Sequence, residues 1–169
     1  MIINIRPEQP SDLAAIHAIN TAAFETEDEA ILVDTLRVQA DPVVSLVAEL
    51  NGELVGHILC SPVTLSGHED ILMMGLAPMA VVPEHQHMGI GSALVFAGIE
   101  ACRQLGMKAI VVLGHPAYYP KFGFMASSRY GIVSEYDVPE GVFMVLEIKE
   151  DVLNGKSGTI SYHGVFGNL

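Results

Sequence analysis

The sequence predicts a mixed fold of the α/β or α+β class, on three observations. An apolar strand, a short polar turn and a glycine-opened amphipathic helix succeed one another over residues 79–105, and a β-branched run at 107–113 completes a βαβ unit. Asn51-Gly52 stands between two strand-like runs at 43–50 and 53–61, which is the strongest short hairpin signal. With 169 residues, half of them hydrophobic and 17% charged, the chain has the length and composition of one globular domain with a sizeable core.

Each element has its own justification. Residues 2–6 form a short first strand. Ser11 and Asp12 offer an N-cap to a helix whose inner face is Leu13, Ile16, Ile19 and Ala23, closed by Phe24. A second helix over 27–39 starts acidic, which suits the helix dipole, and carries Ile31, Leu32 and Leu36. After the hairpin, the polar turn Gly67-His68-Glu69-Asp70 leads into a long strand at 71–82, and Pro83 stops it because proline cannot donate a ladder hydrogen bond. In the helix at 89–105 the residues Ile90, Leu94, Ala97, Ala101 and Leu105 recur at helical spacing, with Gly106 as the stop. The run at 107–113 reads as a buried parallel strand. Gly114-His115-Pro116 opens a short helix, with Pro116 in its first turn. Strands at 130–134 and 142–148 are expected to pair antiparallel. The glycine-rich polar tail is assigned one short strand at 159–162. The expected organisation is a single domain over 1–169, with its core at 2–149 and a tail at 150–169.

Composition excludes several function classes. A net charge of −12 argues against nucleic-acid binding, which asks for a basic patch, and favours a cationic small-molecule partner such as an amine. No apolar run reaches the roughly 18 residues needed to span a bilayer. The start Met1-Ile2-Ile3-Asn4-Ile5-Arg6 has no signal-peptide pattern, so a cytoplasmic protein is expected, with no membrane partner. Cys60 and Cys102 are the only cysteines and lie in no metal-ligand spacing, so they read as buried thiols, and no metal is expected.

The chemistry is concentrated between strand and helix, in Gln86-His87-Met88-Gly89-Ile90-Gly91. Two glycines one residue apart at a helix start leave backbone N–H groups bare. The first-turn amides of a helix lack internal partners and carry partial positive charge, so they suit a phosphate group. Preceded by Ala80-Val81-Val82-Pro83, this phrase resembles the acyl-coenzyme A motif of the GNAT superfamily of N-acetyltransferases, Gln/Arg-x-x-Gly-x-Gly/Ala after a strand ending in Ala-Val-x-Pro. The resemblance extends over about residues 2–149. It implies a central twisted mixed β-sheet flanked by helices on both faces, with strands splayed at the acyl-coenzyme A site. It also implies acetyl-coenzyme A as co-substrate, held by Met79, Ala80, Val81, Gln86, His87, Met88, Gly89, Ile90, Gly91 and Ser92.

A second phrase, Tyr118-Tyr119-Pro120-Lys121-Phe122-Gly123-Phe124, is similar to the Tyr-x-Lys-x-Gly-Phe segment of the same family. The resemblance puts Tyr119 at the thioester sulfur, where a protonated phenol can supply the proton a departing thiolate needs. Tyr118 reads as packing. Pro78, odd inside a strand, is consistent with a bulge beside the splayed gap. The family pattern then aims the Met79 N–H at the acetyl carbonyl oxygen, as an oxyanion donor.

The departures from the family pattern concern charge and base. His87 and Met88 stand where many members carry a basic residue, and Gly75 stands where some carry a glutamate base. No essential carboxylate base is therefore expected; a water chain ending at His115 or, second, His57 is expected to take the amine's proton. The resulting reading is an N-acetyltransferase that moves acetyl directly to an unidentified amine; the sequence leaves its oligomeric state open, a homodimer included. The alternative is a non-catalytic acyl-coenzyme A sensor on the same scaffold.

Overall fold

The computed structural model describes residues 2–168. Strand β1 (Ile3–Pro7) is followed by helices α1 (Leu13–Phe24) and α2 (Asp28–Gln39). The hairpin comprises β2 (Val44–Leu50) and β3 (Glu53–Leu65), and β4 (Met73–Val81), α3 (Ile90–Gln104) and β5 (Ala109–Leu113) follow. The chain closes with β6 (Met125–Ala126), β7 (Ile132–Ser134), β8 (Phe143–Glu147) and β9 (Gly158–Ser161). Among the described residues no helix is long and apolar enough to cross a membrane.

The main sheet runs β1-β2-β3-β4-β5-β8-β6, and β9 joins the far end of β3 to β7. Every pairing in the main path is antiparallel except β4 with β5, the parallel pair predicted from the βαβ pattern. The hairpin turn places Asn51 and Gly52 at φ +54° and +81°, the left-handed pair that matches strand twist. Helix α3 covers one face of the sheet with Ile90, Leu94, Val95, Ile99 and Cys102 buried. Helices α1 and α2 cover the other face, where Ile16, Leu32, Val33 and Leu36 pack on Val47 and Leu59.

Several expectations are corrected. Strands β7 and β8 do not pair with each other: β8 lies between β5 and β6, and β7 pairs with β9 in parallel. A helical turn at Ser127–Tyr130, ending in Gly131 at φ +70°, lifts the chain off the main sheet before β7, and strand-like composition says nothing of partner choice. The short helix after β5 begins at Tyr119 with Pro120 in its first turn; residues 116–118 are a hydrogen-bonded turn. Leu105 and Ile31 are exposed, and so is Phe24. The tail is integral: Leu153, Ile160 and Tyr162 are buried in the core around Met73 and Val145.

Candidate active site

The site is organised by a gap in the sheet. Strands β4 and β5 pair only at Met73–Ala109, Met74–Ile110 and Gly75–Val111, although both continue further. The reason is a bulge in β4. Its register with β3 shifts between Ile58–Met79 and Cys60–Leu76, which leaves one extra residue in the stretch Ala77-Pro78, joined by a cis peptide. Pro78 has no N–H to give a ladder, so it stands where pairing has already ended.

Beyond the bulge the backbone direction follows from the ladder. The Val82 N–H donates to the Val55 carbonyl at 2.9 Å. Antiparallel ladders alternate bonded and non-bonded pairs. With Val55 opposite Val82, the pairs Gly56–Val81 and Ile58–Met79 are non-bonded. The N–H and C=O groups of Met79 and Val81 therefore face away from β3, into the gap. One of them is already used: the Gln86 side-chain amide donates to the Val81 carbonyl at 3.0 Å and pins the loop to the strand.

The loop then turns through His87 and Gly89 at φ +63° and +87°, and Gly89 is the N-cap of α3. Its carbonyl accepts the first helical bond, from the Ala93 N–H at 3.1 Å. The amides of Ile90, Gly91 and Ser92 lie in the turn before it and have no intrahelical partner. A Cβ on Gly91 would lie 3.3 Å from both the Met79 Cε and the Tyr118 hydroxyl oxygen, so glycine there keeps the cleft open.

That cleft has a volume of about 560 Å³. Of the residues the sequence assigned to it, Met79, Ala80, Val81, Gln86, His87, Gly89, Gly91 and Ser92 line it. Met88 and Ile90 do not: the Met88 side chain is exposed, and Ile90 is buried in the core. Sequence reasoning missed five lining residues: Ala23 and Phe24 at the end of α1, and His85, Tyr118 and Lys121. Tyr118 bonds its hydroxyl to Ser92 Oγ at 3.0 Å, and Lys121 sits with Nζ 4.1 Å from the centre of the Tyr118 ring. His85 also lines the cleft, and its buried Nδ1 has no partner among the described residues. Among the described residues no carboxylate lines the cleft, so its local sign is opposite to the protein's net charge. Bare amides and one lysine fit the phosphate groups of an acyl-coenzyme A.

Past Met79 a second pocket of about 350 Å³ continues the same gap, sharing Phe24 and Met79 with the cleft. Tyr119 lines it. Burial, and then the neighbouring Tyr118, push the Tyr119 phenol up to about 12, so it stays protonated at neutral pH. Gly114 makes room for its ring: a Cβ there would lie 2.2 Å from Tyr119 Cε2. The far walls come from distant parts of the chain, Glu29 and Leu32 of α2 and Phe166 of the tail.

The structure brings neither candidate histidine to this place. His57 is fully buried beneath α1, with Nδ1 3.3 Å from Asn20 Nδ2 and Nε2 2.9 Å from Ser45 Oγ. Ser45 in turn bonds Glu8, which is ion-paired to Arg37 at 2.6 Å. Burial holds the His57 pKa down at about 4, so the ring is neutral and serves the core. His115 is exposed and lines neither pocket. Its contribution is backbone: its carbonyl accepts the N–H groups of Tyr118 and Tyr119. Gly75 has no room for a side chain, since a Cβ would lie 2.8 Å from Tyr162 Cε1.

Cys60 and Cys102 are buried and free. A hydrogen bond with Cys102, together with burial, pushes the Cys60 thiol well above its ordinary range. Among the described residues no group of three His, Cys, Asp or Glu side chains could hold a metal ion.

Residues 13–124 match the Acetyltransferase (GNAT) family. Over 166 residues, 98% of this chain and 99% of the relative, the sequence is 35% identical to YhbS of Escherichia coli K12, an uncharacterized N-acetyltransferase. The crystal structure of the E. coli YhbS protein in complex with CoA matches with a TM-score of 0.91 at 33% identity, covering 98% of this chain and 92% of that one. A GNAT family acetyltransferase from Brucella melitensis, in complex with acetyl-CoA, matches with a TM-score of 0.80 at 34% identity over 98% of both chains.

Proposed function

The chain belongs to the Acetyltransferase (GNAT) family, and we propose that it transfers acetyl from acetyl-coenzyme A directly to an amine. The observation that carries the reading is the gap itself: unpaired β4 backbone and bare α3 amides face one cleft, and Tyr119 lines the second pocket that continues it past Met79. The pyrophosphate is held by the amides of Gly89 to Ser92, with Lys121 supplying the positive charge that the loop lacks. The pantetheine runs along Met79 to Val81, whose free backbone groups can pair with its amides as another strand would.

The thioester then lies between Met79 and Tyr119. As the amine attacks, negative charge develops on the acetyl oxygen, and a fixed donor such as the Met79 N–H stabilises it. Collapse expels the thiolate, and Tyr119 gives it a proton; a phenol held at about 12 remains protonated until that moment. Transfer is direct. The only thiols are Cys60 and Cys102, both buried away from the cleft, so no side chain here is placed to carry acetyl as a thioester.

The test is binding followed by turnover. Acetyl-coenzyme A at 100 times its Kd should stabilise the fold by about 2.7 kcal/mol, visible as a rise in Tm. An amine panel should then release free thiol. Stabilisation with no thiol release from any amine would favour the sensor reading instead, since a sensor needs no proton donor at the sulfur.

A further inference from the structure

The second pocket is apolar apart from one carboxylate. Leu32, Leu76, Pro78, Leu113 and Phe166 form its walls, Tyr119 lines it too, and among the described residues Glu29 is the only acidic one that does. The first turn of α2 is acidic for an ordinary reason, since carboxylates suit a helix N-terminus. The N-cap Glu27 and the two acidic residues of that turn, Asp28 and Glu29, nonetheless differ. Glu27 lies 3.7 Å from His17 and is exposed, and Asp28 is exposed. Glu29 is half-buried, faces the pocket and pairs with no Arg or Lys among the described residues. Burial, and then the neighbouring Asp28, raise its pKa above the ordinary carboxylate value. A carboxylate left without a cation in the lining of an otherwise largely apolar pocket is a site for a cation brought by a ligand.

We propose that this pocket takes a primary monoamine carrying a compact apolar or aromatic group, with Glu29 receiving the ammonium and accepting the proton it loses before attack. The inference rests on the acetyl-transfer reading above. The ammonium gives one proton to Glu29, which passes it to solvent. The freed lone pair forms the N–C bond to the acetyl carbon, and the C–S bond breaks. One of the two protons left on the nitrogen departs as the amide forms and the other stays as its N–H, while the thiolate takes a proton from Tyr119, which is then reprotonated. The products are the N-acetyl amine, the free thiol and one proton. A polyamine or aminoglycoside fits poorly, because each further ammonium would lie against leucine, proline and phenylalanine with no second carboxylate to meet it.

The experiment measures thiol release with acetyl-coenzyme A and four amines: phenethylamine, hexylamine, ethanolamine and spermidine. For the wild type, kcat/KM for the two apolar amines should exceed that for the other two by about tenfold or more. Glu29→Gln should lower kcat/KM for phenethylamine by about 10²–10⁴-fold at neutral pH. Its deficit should narrow toward pH 10, near the amine's own pKa of about 10, because a neutral amine needs no base. The ionisable groups facing Glu29 are Asp28 in its own helix and Tyr119 across the pocket; Leu76 to Met79, Leu113, Phe24 and Phe166 bring none. A merely structural role for Glu29 would give a deficit that does not change with pH. Equal turnover of spermidine or ethanolamine, a wild-type rate in Glu29→Gln, or a pH-independent deficit each overturns the proposal. If acetyl-coenzyme A still raises Tm in those cases, the acetyl-transfer reading survives alone. If acetyl-coenzyme A does not stabilise the wild type, both fall together.

Discussion

The coenzyme cleft and the pocket beyond it share Met79, yet they are assembled in opposite ways. The cleft is made mostly from one contiguous stretch, the end of β4, the loop at Gln86 and the first turn of α3, whose bare backbone groups face it, with Ala23, Phe24, Tyr118 and Lys121 added from α1 and the turn after β5. The pocket draws on α1, α2, β4, β5 and the tail, and it works through side chains. A backbone site recognises what is invariant in a substrate, such as a pyrophosphate. A side-chain site can change with each residue that lines it. The acyl donor can thus be read from a motif, whereas the acceptor depends on residues that no motif connects.

The sharpest way to break this contrast is at Gly91. Gly91→Leu places a side chain against Met79 and Tyr118 without disturbing helical backbone. The roughly 2.7 kcal/mol of stabilisation expected at 100 Kd of acetyl-coenzyme A should disappear, while Tm without ligand changes little. Normal ligand stabilisation in this variant would show that the cleft is not the coenzyme site.

Tyr119→Phe, in the second pocket, should come next. It should lower kcat by about 10²–10⁴-fold and leave the acetyl-coenzyme A shift in Tm intact. Unchanged turnover would mean that water protonates the thiolate. Gly114→Ala should mimic this loss, because its Cβ lies within the space of the Tyr119 ring.

His57 tests whether a residue adjacent to β4 belongs to either region. Its folded pKa of about 4 lies below the ordinary histidine value of 6.5, so the unfolded chain binds the proton first as pH falls. The sign follows: the fold keeps its stability above the unfolded value and loses it progressively between 6.5 and about 4. The slope from this group is about 1.4 kcal/mol per pH unit within that window. His57→Gln should flatten the Tm-against-pH curve there and leave the pH profile of kcat/KM unchanged. A lost limb in the kcat/KM profile would return His57 to the catalytic path.

The smallest effect is expected at Tyr118. Removing its hydroxyl bond to Ser92 with Tyr118→Phe should weaken acetyl-coenzyme A binding by about 1 kcal/mol, roughly fivefold in Kd by isothermal titration, with kcat unchanged. A loss of kcat as large as that for Tyr119→Phe would exchange the roles of the two tyrosines.

The sequence by itself determined the parts whose physics is local. The Asn51-Gly52 turn, the strand ended by Pro83, the amphipathic α3 and the bare amides after Gly89 each follow from neighbouring residues, because backbone conformation and helix-end chemistry are set within a turn or two. Tertiary structure decided everything that joins distant residues. Gly75 carries no base because Tyr162, a tail residue, occupies its space, and His57 is a core residue because Asn20 and Ser45 close around it. Phe24, in pattern the last residue of a helix's inner face, is exposed instead and lines both pockets. Glu29 sits in a pocket with Phe166, although nothing near it in the chain distinguishes it from Asp28. Partner choice among strands and the packing of the tail depend on which surfaces remain to be covered once the sheet has formed, and periodicity carries no record of that.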